Sequence, residues 1–432
     1  MNYNEAIDYI EECNKLGSVP GLESTDALAF RMGNPQNDLR FVHVAGTNGK
    51  GSTVTYLSNI MQEAGLKVGT YMSPTILDYR ERWMINGRMM SKKKCASYIE
   101  MAKEKCDLLV ADNMAHPTSF EIETVIAFKY FADEKCDIVI LETGMGGMLD
   151  ATNVVTTTIM EVFAHIDYDH MQFLGESLTQ IATQKAGIIK NDTLVTTGPQ
   201  HEEVMRVLED VCKEKNATLT VTDEYAPVKS GVTKQTFKFK GKNYSTPLIG
   251  SYQVDNAAVA VNAAITLSDS GRLVRKGGKE INLTYDIICR GLMKSVLPAR
   301  FQTVRKNPLL IIDGAHNSDA AMRLRETIDL YLKDKRKLYI IGMFRDKDVS
   351  QVVKTLIYDG DMVFTVAAPG NSRALSAVEM AEIVSEVNPK VTSCDSVEEA
   401  IELSTLMCDK DTVTIACGSL AYMNRVIGYF EK

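Results

Sequence analysis

The sequence predicts an α/β protein of two domains, each a parallel sheet flanked by helices, with a small antiparallel patch in the first. Three observations predict it. A β-branched or apolar run, a polar turn and a segment of helical period recur along the chain. The length of 432 residues suits two or three domains at roughly 150 residues each. The alternation stops between Gly291 and Pro298 and then starts afresh, which divides the chain into residues 1–293 and 294–432.

The elements follow in order. MNYNEAIDYIEECNKLG spaces apolar residues helically among acids, unlike a leader, which needs a basic start and an unbroken apolar run. LRFVHVAG is a strand entering a glycine-rich turn, and STVTYLSNIMQEAG an amphipathic helix closed by Gly65. LKVGTYMS is the next strand. FEIETVIAFKYFADEK reads as a mostly buried helix before CDIVILETG, an apolar strand ending on Glu142. NVVTTTIMEVFAHI is one or two strands, and LTQIATQKAGII a helix. From Val221 to Leu248, short alternating runs such as TFKFKGKNYS predict the antiparallel patch, and SYQVDNAAVAVNAAITLS returns to helix. After the break, PLLIIDGAH, KLYIIGMF, DMVFTVAA and DTVTIACG are strands. SDAAMRLRETIDLYL, VSQVVKTLIY, AVEMAEIVSEV and EEAIELSTLM are the helices between them.

Composition narrows the function classes. With 48 basic and 56 acidic residues the net charge is −8, which argues against nucleic acid or an anionic membrane as partner. No stretch approaches the ~20 apolar residues of a membrane span. Nine cysteines are scattered without a C-x-x-C pair, the pattern of reduced thiols in a cytoplasmic protein. A monomer is expected.

The sharpest motif is HVAGTNGKGST, residues 43–53, between a strand and a helix. Gly46, Gly49 and Gly51 let backbone approach an anion, the helix N-terminus directs N–H groups at it, and Lys50 adds charge. A glycine between Lys50 and Ser52 departs from the usual G-x-x-x-x-G-K-[ST] spacing. Ser52 or Thr53 offers a hydroxyl to Mg²⁺. Glu142 stands at the carboxyl end of its strand, the edge where open α/β sheets bind ligands, followed by Gly144, Gly146, Gly147, Asp150 and Asn153. His170 sits with Asp167 and Asp169 past another strand, and Lys185 has unusually apolar neighbours for a solvated lysine. In the second half, Asp313 and His316 follow an apolar strand, 13 and 16 residues after Arg300. Two strand-end sites on two domains suggest a reaction in a cleft between them.

Together these residues resemble the folylpolyglutamate synthase and dihydrofolate synthase family of the ATP-dependent Mur ligases. The blocks HVAGTNGKGS, SPTILDYRERWMING, SFEIETVIAF, ETGMGGMLDATN, IDYDHMQFLG, IATQKAGIIK, SYQVDNAAVA, LPARFQ, DGAHN and CGSLAYMNRV occur in the family's order and approximate spacing. The resemblance implies a P-loop ATPase-like domain over 1–293 and a Rossmann-like glutamate ligase domain over 294–432. It implies that ATP phosphorylates a carboxylate of folate or dihydropteroate and that L-glutamate attacks the acyl phosphate. By motif, Thr47, Asn48, Gly49, Lys50, Gly51 and Ser52 cradle the phosphates, and Asn256, Arg300 and Asp313 contact ATP. Ser73, Glu142 and His170 match Mg²⁺ ligands, and Lys185 matches a lysine that is carbamylated and holds a second Mg²⁺. His316 lies near the reacting groups. Phe120, Leu149, Asp150 and Ala151 match the pterin or folate pocket.

The chain departs from the family pattern at Thr75, where histidine is usual, at Met148, where arginine is common, and at Leu297 and Ala299, which replace the tryptophan and glycine of W-P-G-R. Two other readings fit the same residues: a Mur-type ligase for another carboxylate and amino acid, and a nucleotide-binding protein without ligase activity.

Overall fold

The computed structural model describes residues 1–15, 21–231, 233–369 and 372–431. They form two compact units. One comprises Met1–Ala226, Lys238–Ser245 and Asp255–Ser295; the other comprises Pro227–Phe237, Thr246–Val254 and Val296–Lys432.

The first unit holds an eight-stranded sheet of β1 (Phe41–Ala45), β2 (Val68–Tyr71), β3 (Trp83–Ile85), β4 (Arg88–Met89), β5 (Ile138–Glu142), β6 (Thr158–Phe163), β7 (Leu194–Thr197) and β8 (Thr218–Val221), in the order β4-β3-β2-β5-β1-β6-β7-β8. From β2 to β8 every pairing is parallel, and β3 and β4 add an antiparallel edge. The central strands are buried along their whole length and apolar except for His43 in β1 and Glu142 at the end of β5, as suits parallel strands covered on both faces. Register decides where the site lies. Val44 of β1 stands opposite both Glu142 of β5 and Val162 of β6, so the segments leaving these three strands emerge at one edge.

Helices cover both faces. Lys50–Glu63 follows β1, and Ser119–Asp133 enters through a capping box between Thr118 and Glu121. Phe128 of the latter helix meets Phe41 of β1 edge to face at 5.5 Å within a buried core that includes Trp83, Phe131 and Leu141. Tyr285–Met293 is also a helix, so the helical pattern runs two residues past Gly291 before it stops. Gly291 lies inside it, and a Cβ there would come within 2.5 Å of Ile60 Cα. This glycine marks close helix packing, not a connector.

A three-stranded sheet of β9 (Ala226–Lys229), β10 (Gln235–Phe239) and β11 (Lys242–Thr246), ordered β11-β10-β9, occupies the stretch of short alternating runs. The segment NVVTTTIMEVFAHI resolves into a 3-10 turn, Ala151–Val154, and the single strand β6.

The second unit's sheet contains β12 (Gln302–Lys306), β13 (Leu309–Ile312), β14 (Arg336–Ile341), β15 (Met362–Thr365), β16 (Val391–Ser393) and β17 (Thr412–Cys417), ordered β12-β13-β17-β14-β15-β16. All pairings are parallel except β12 against β13, which is antiparallel. Its core gathers Ile311, Leu324, Tyr339, Val363 and Ile415. No helix among the described residues is long and apolar enough to cross a membrane.

Candidate active site

β1 ends at Ala45, and the next helix begins at Lys50. Gly49 caps that helix with φ 87°, a conformation that favours glycine. A Cβ there would also lie 2.2 Å from Asn256 Oδ1. Glycine is therefore required twice, and Asn256 is a wall of the loop. Thr53 Oγ1 donates to Gly49 O at 3.0 Å, which fixes the first turn. The N–H groups of Thr47 and Asn48 donate to His165 O at 2.8 and 3.2 Å, and the Thr47 hydroxyl donates to Asp167 O at 2.8 Å. These bonds tie the loop to the segment leaving β6. The helix N-terminus and Lys50 make the loop a cradle for phosphate, with buried Ser52 at its base.

Two amines converge on this loop. Lys50 Nζ donates to Gly46 O and Thr47 O at 3.1 and 3.3 Å, and Lys185 Nζ donates to the same Gly46 O at 2.8 Å. Lys185 belongs to the helix Leu178–Ala186, whose Ile181, Ala182 and Ala186 face the core, so its own stem is only 4% exposed. Burial, reinforced by the Lys50 charge, pulls its amine down to about 7, while Asp169 and Asp150 resist. A large neutral fraction is available near pH 7.

Glu142 ends β5 with 4% exposure and accepts from Ser73 N at 3.3 Å. The loop from Glu142 to Ala151 then packs tightly. Gly144 lies against the Phe120 ring, where a Cβ would be 2.5 Å from Cζ, and Gly147 lies against the helix carrying Lys185. A cavity of about 450 Å³ opens here, lined by Ser73, Phe120, Leu149, Asp150 and Ala151, and also by Thr118, Phe173 and Gln184. All four residues expected in a substrate pocket thus line one cavity.

Asp150 is buried at its base, and its carboxylate accepts from Met145 N at 2.8 Å, Thr152 N at 3.0 Å and the Thr152 hydroxyl. Burial raises its affinity for a proton and these donors lower it, with burial the stronger. Thr152 Oγ1 also lies 2.8 Å from Nε2 of His43. Since the hydroxyl proton goes to Asp150, His43 must present Nε2–H, which makes it the second member of a relay behind the pocket. Complete burial, with Lys190 nearby, pushes His43 down to about 3 and keeps it neutral. Its Nδ1 has no hydrogen-bond partner among the described residues.

His170 has φ 51°, receives backbone support from Asp169 Oδ1 at 2.8 Å, and holds Nε2 3.9 Å from Asp169 Oδ2. Met148, at the position where arginine is common, is exposed, and its N–H donates to Gln184 O.

The second unit gathers its own three candidates. Asp313 follows β13 and accepts from Phe301 N at 2.8 Å, Ala315 N at 2.9 Å and Tyr252 Oη at 3.0 Å. Burial raises its carboxyl, and Arg300 counters. The Arg300 guanidinium packs on Gly314, where a Cβ would be 2.4 Å from Nη1. His316 Nδ1–H donates to Gly314 O at 2.8 Å, so Nε2 is the acceptor nitrogen of the neutral ring.

Sequence reasoning missed His43, Thr152, Gln184, Phe173 and Tyr252. Thr152 had a signal, since an Asp two residues before a Thr in D-A-T-N is an Asx-turn pattern. His43, Phe173 and Gln184 stand in or beside motifs already singled out, but nothing in their residue type marked them, and Tyr252 reaches Asp313 only through the fold.

Residues 44–264 match the Mur ligase middle domain and residues 299–420 the Mur ligase glutamate ligase domain. The dihydrofolate synthase/folylpolyglutamate synthase of Bacillus subtilis is 33% identical over 363 residues, covering 82% of each chain. The folylpolyglutamate synthase of Lacticaseibacillus casei is 31% identical over 386 residues, covering 87% of each. Among solved structures, Mycobacterium tuberculosis folylpolyglutamate synthase complexed with ADP matches with TM-score 0.89 at 26% identity, over 100% of this chain and 99% of that one. E. coli FolC in complex with DHPP and ADP matches with TM-score 0.82 at 29% identity, over 99% and 97%. With both domains matched and the phosphate loop, acidic strand end and lysine helix in place, the chain belongs to the folylpolyglutamate synthase and dihydrofolate synthase family of Mur ligases.

Proposed function

We propose that this chain is an ATP-dependent ligase that joins L-glutamate to the carboxylate of a reduced folate, or of dihydropteroate, through an acyl phosphate. The observation that carries the reading is one loop: it begins at the Glu142 carboxylate beside the nucleotide cradle and ends at Asp150 and Ala151 in the 450 Å³ cavity. It sets a phosphate site and an organic pocket one short segment apart.

The cavity's chemistry supports a flat neutral heterocycle. Its described lining contains no lysine, arginine or histidine and two acids, Glu121 and Asp150. Phe120 offers a ring to stack on, and Asp150 accepts hydrogen bonds from N–H groups. An anionic glutamate tail would be unwelcome there.

The reaction needs a carboxylate oxygen to attack the γ-phosphorus of ATP, releasing ADP. The glutamate amine then attacks the acyl carbon, loses a proton, and phosphate departs with the C–O electron pair. Lys50 and the N–H groups of residues 49–52 stabilise charge on the transferred group. Asn256, Arg300 and Asp313 bind the nucleotide, and His316 Nε2 is the nitrogen suited to take the amine proton.

Ser52 and Ser73 hydroxyls, the buried Glu142 carboxylate and the His170 imidazole form an oxygen-rich donor set that fits Mg²⁺, and these residues would hold it. Bound Mg²⁺ supplies neutralisation of the phosphate oxygens. Carbamylated Lys185 would hold a second ion. Its neutral amine adds to the carbon of CO₂, one C=O pair moves to oxygen, and an N–H proton leaves to water, turning the neutral amine into an anionic carbamate.

ADP release from purified protein should require both L-glutamate and a folate or dihydropteroate. No turnover on any of these acids would overturn the reading, and turnover confined to a different acid would favour another Mur-type ligase. Short carboxylates should partly rescue Lys185→Ala, whereas full unaided activity of that variant would exclude the carbamate. The same reading takes the chain as a cytoplasmic monomer, in keeping with nine free thiols, and sedimentation at 47.8 kDa is the expected result.

A further inference from the structure

Beside the nucleotide loop lies a cluster that the ligase reaction does not use. His165 leaves β6, Asp167 follows it, and His201 precedes the helix Glu202–Glu214. One ligand atom from each lies within 4.8 Å of the others. Asp167 Oδ2 stands 3.6 Å from His165 Nε2 and 3.7 Å from His201 Nε2. Both separations exceed the ~2.7–3.2 Å of a hydrogen bond. Two ligands bound at about 2.0–2.1 Å to one tetrahedral or trigonal ion stand roughly 3.3–3.6 Å apart, close to the spacing observed.

The cluster is also built in advance. Gln200 braces its two loops, accepting from Ile166 N at 2.9 Å and donating to Ala164 O at 2.9 Å. Thr47 clamps Asp167 from both sides, donating to its carbonyl at 2.8 Å and accepting from its N–H at 3.0 Å. Asp167 Oδ1 is occupied by Tyr168 N at 2.7 Å, which turns Oδ2 to the imidazoles.

We propose that His165, Asp167 and His201 form a site for a borderline divalent transition ion of the Zn²⁺ class, with at least one coordination position open to water or a ligand. Two imidazole nitrogens and one carboxylate oxygen suit Zn²⁺ or Co²⁺, whereas Mg²⁺ demands oxygen. The site's three ligands are distinct from the Mg²⁺ set of Ser52, Ser73, Glu142 and His170, although Asp167 and His170 share one segment. Through Thr47 the site is fastened to the backbone that cradles phosphate, so occupancy braces the loop.

Cobalt reports the site directly. The chelator-stripped full chain, titrated with Co²⁺, should develop the visible absorption of a four-coordinate ion and saturate at one per chain. Zn²⁺ should abolish the band and excess Mg²⁺ should not. His201→Gln and Asp167→Asn should weaken Co²⁺ binding at least tenfold, while Glu142→Gln keeps it. Zn²⁺ should also raise the melting temperature of the parent and not of His201→Gln, since an ion bound only to the folded state stabilises it. His201 is half exposed, so its variant should fold, as circular dichroism can verify. The proposal fails if no band forms, if the band survives in both cluster variants, or if it disappears in Glu142→Gln, which would put the ion at the phosphate loop.

Discussion

Burying the Lys185 amine costs free energy, because the cation is stripped of water and faces Lys50 across a shared carbonyl. The unfolded amine titrates near 10.5 and the folded one near 7. Between these values the unfolded chain binds more protons, so this group's contribution to stability improves as pH rises from about 7 to 10.5, and its penalty is complete below 7. In CO₂-free buffer, where the amine is unmodified, Lys185→Met should raise stability at pH 7 by as much as ~4 kcal/mol, read as a higher urea midpoint, with the gain shrinking by pH 10.5; ADP release by the variant should be abolished. A variant less stable at pH 7 would refute the burial argument. Ala299 offers a second residue-scale test. It holds φ 54°, buried, with its carbonyl receiving Gly314 N at 2.9 Å. A left-handed L-residue costs ~1–2 kcal/mol and glycine's extra chain entropy returns ~0.5–1, so Ala299→Gly should stabilise by roughly 0.5–1 kcal/mol. The relay behind the pocket gives a third. Thr152→Val leaves His43 Nε2–H unpaired and Asp150 short of one donor, and should raise KM for the folate or pteroate about tenfold, the equivalent of ~1.4 kcal/mol, without moving KM for ATP. Thr152→Ser should restore it, while equal losses in both KM values would mean simple destabilisation.

At the scale of elements, the strands and helices whose pattern is strong were legible, and those serving one neighbour were not. β1 and β5 are almost wholly apolar, broken only by His43 and the terminal Glu142, because both their faces are covered. β12 reads Gln-Thr-Val-Arg-Lys because it is an edge strand paired only to β13, and polar residues there discourage further pairing. Nothing in its pattern distinguishes it from a connector. Gly291 misled for the opposite reason: a glycine near a proline suggests a break, yet it sits within Tyr285–Met293 to admit the backbone at Ile60. Gly291→Ala should therefore destabilise by about 1–3 kcal/mol through overpacking, although alanine is the better helix former; a gain in urea midpoint would contradict the close packing. The phosphate loop was legible from spacing, because strand, turn and helix are contiguous. The pocket needed the family resemblance, since Phe120 and Asp150 lie 30 residues apart. The relay and the histidine cluster were invisible: His43 and Thr152 are 109 residues apart and reach each other only through the register of β1.

The whole molecule shows what a linear division of the chain cannot express. The second unit is built from three stretches, Pro227–Phe237, Thr246–Val254 and Val296–Lys432. Its core includes Ile249, and Tyr252 Oη donates to the buried Asp313 at 3.0 Å. Gln235, 2% exposed, accepts from Tyr331 Oη at 3.2 Å and donates to Leu248 O and Gly250 O at 2.8 and 2.7 Å. A fragment of residues 294–432 has none of these. Losing Ile249 removes about 1.5–3 kcal/mol of apolar burial. Taking Tyr252 from Asp313 leaves a buried carboxylate one donor short, at ~1–3 kcal/mol. Against a total stability of about 5–15 kcal/mol for an ordinary domain, the sum is decisive. The fragment 294–432 should lose cooperative urea unfolding and show near-ultraviolet dichroism weaker than its share of the full chain. Co-expression with residues 1–293, which carry the missing stretches, should restore a cooperative transition. If 294–432 alone unfolds in one sharp transition with an m-value proportional to its length, the two inserted stretches are accessories to that unit and not part of its core.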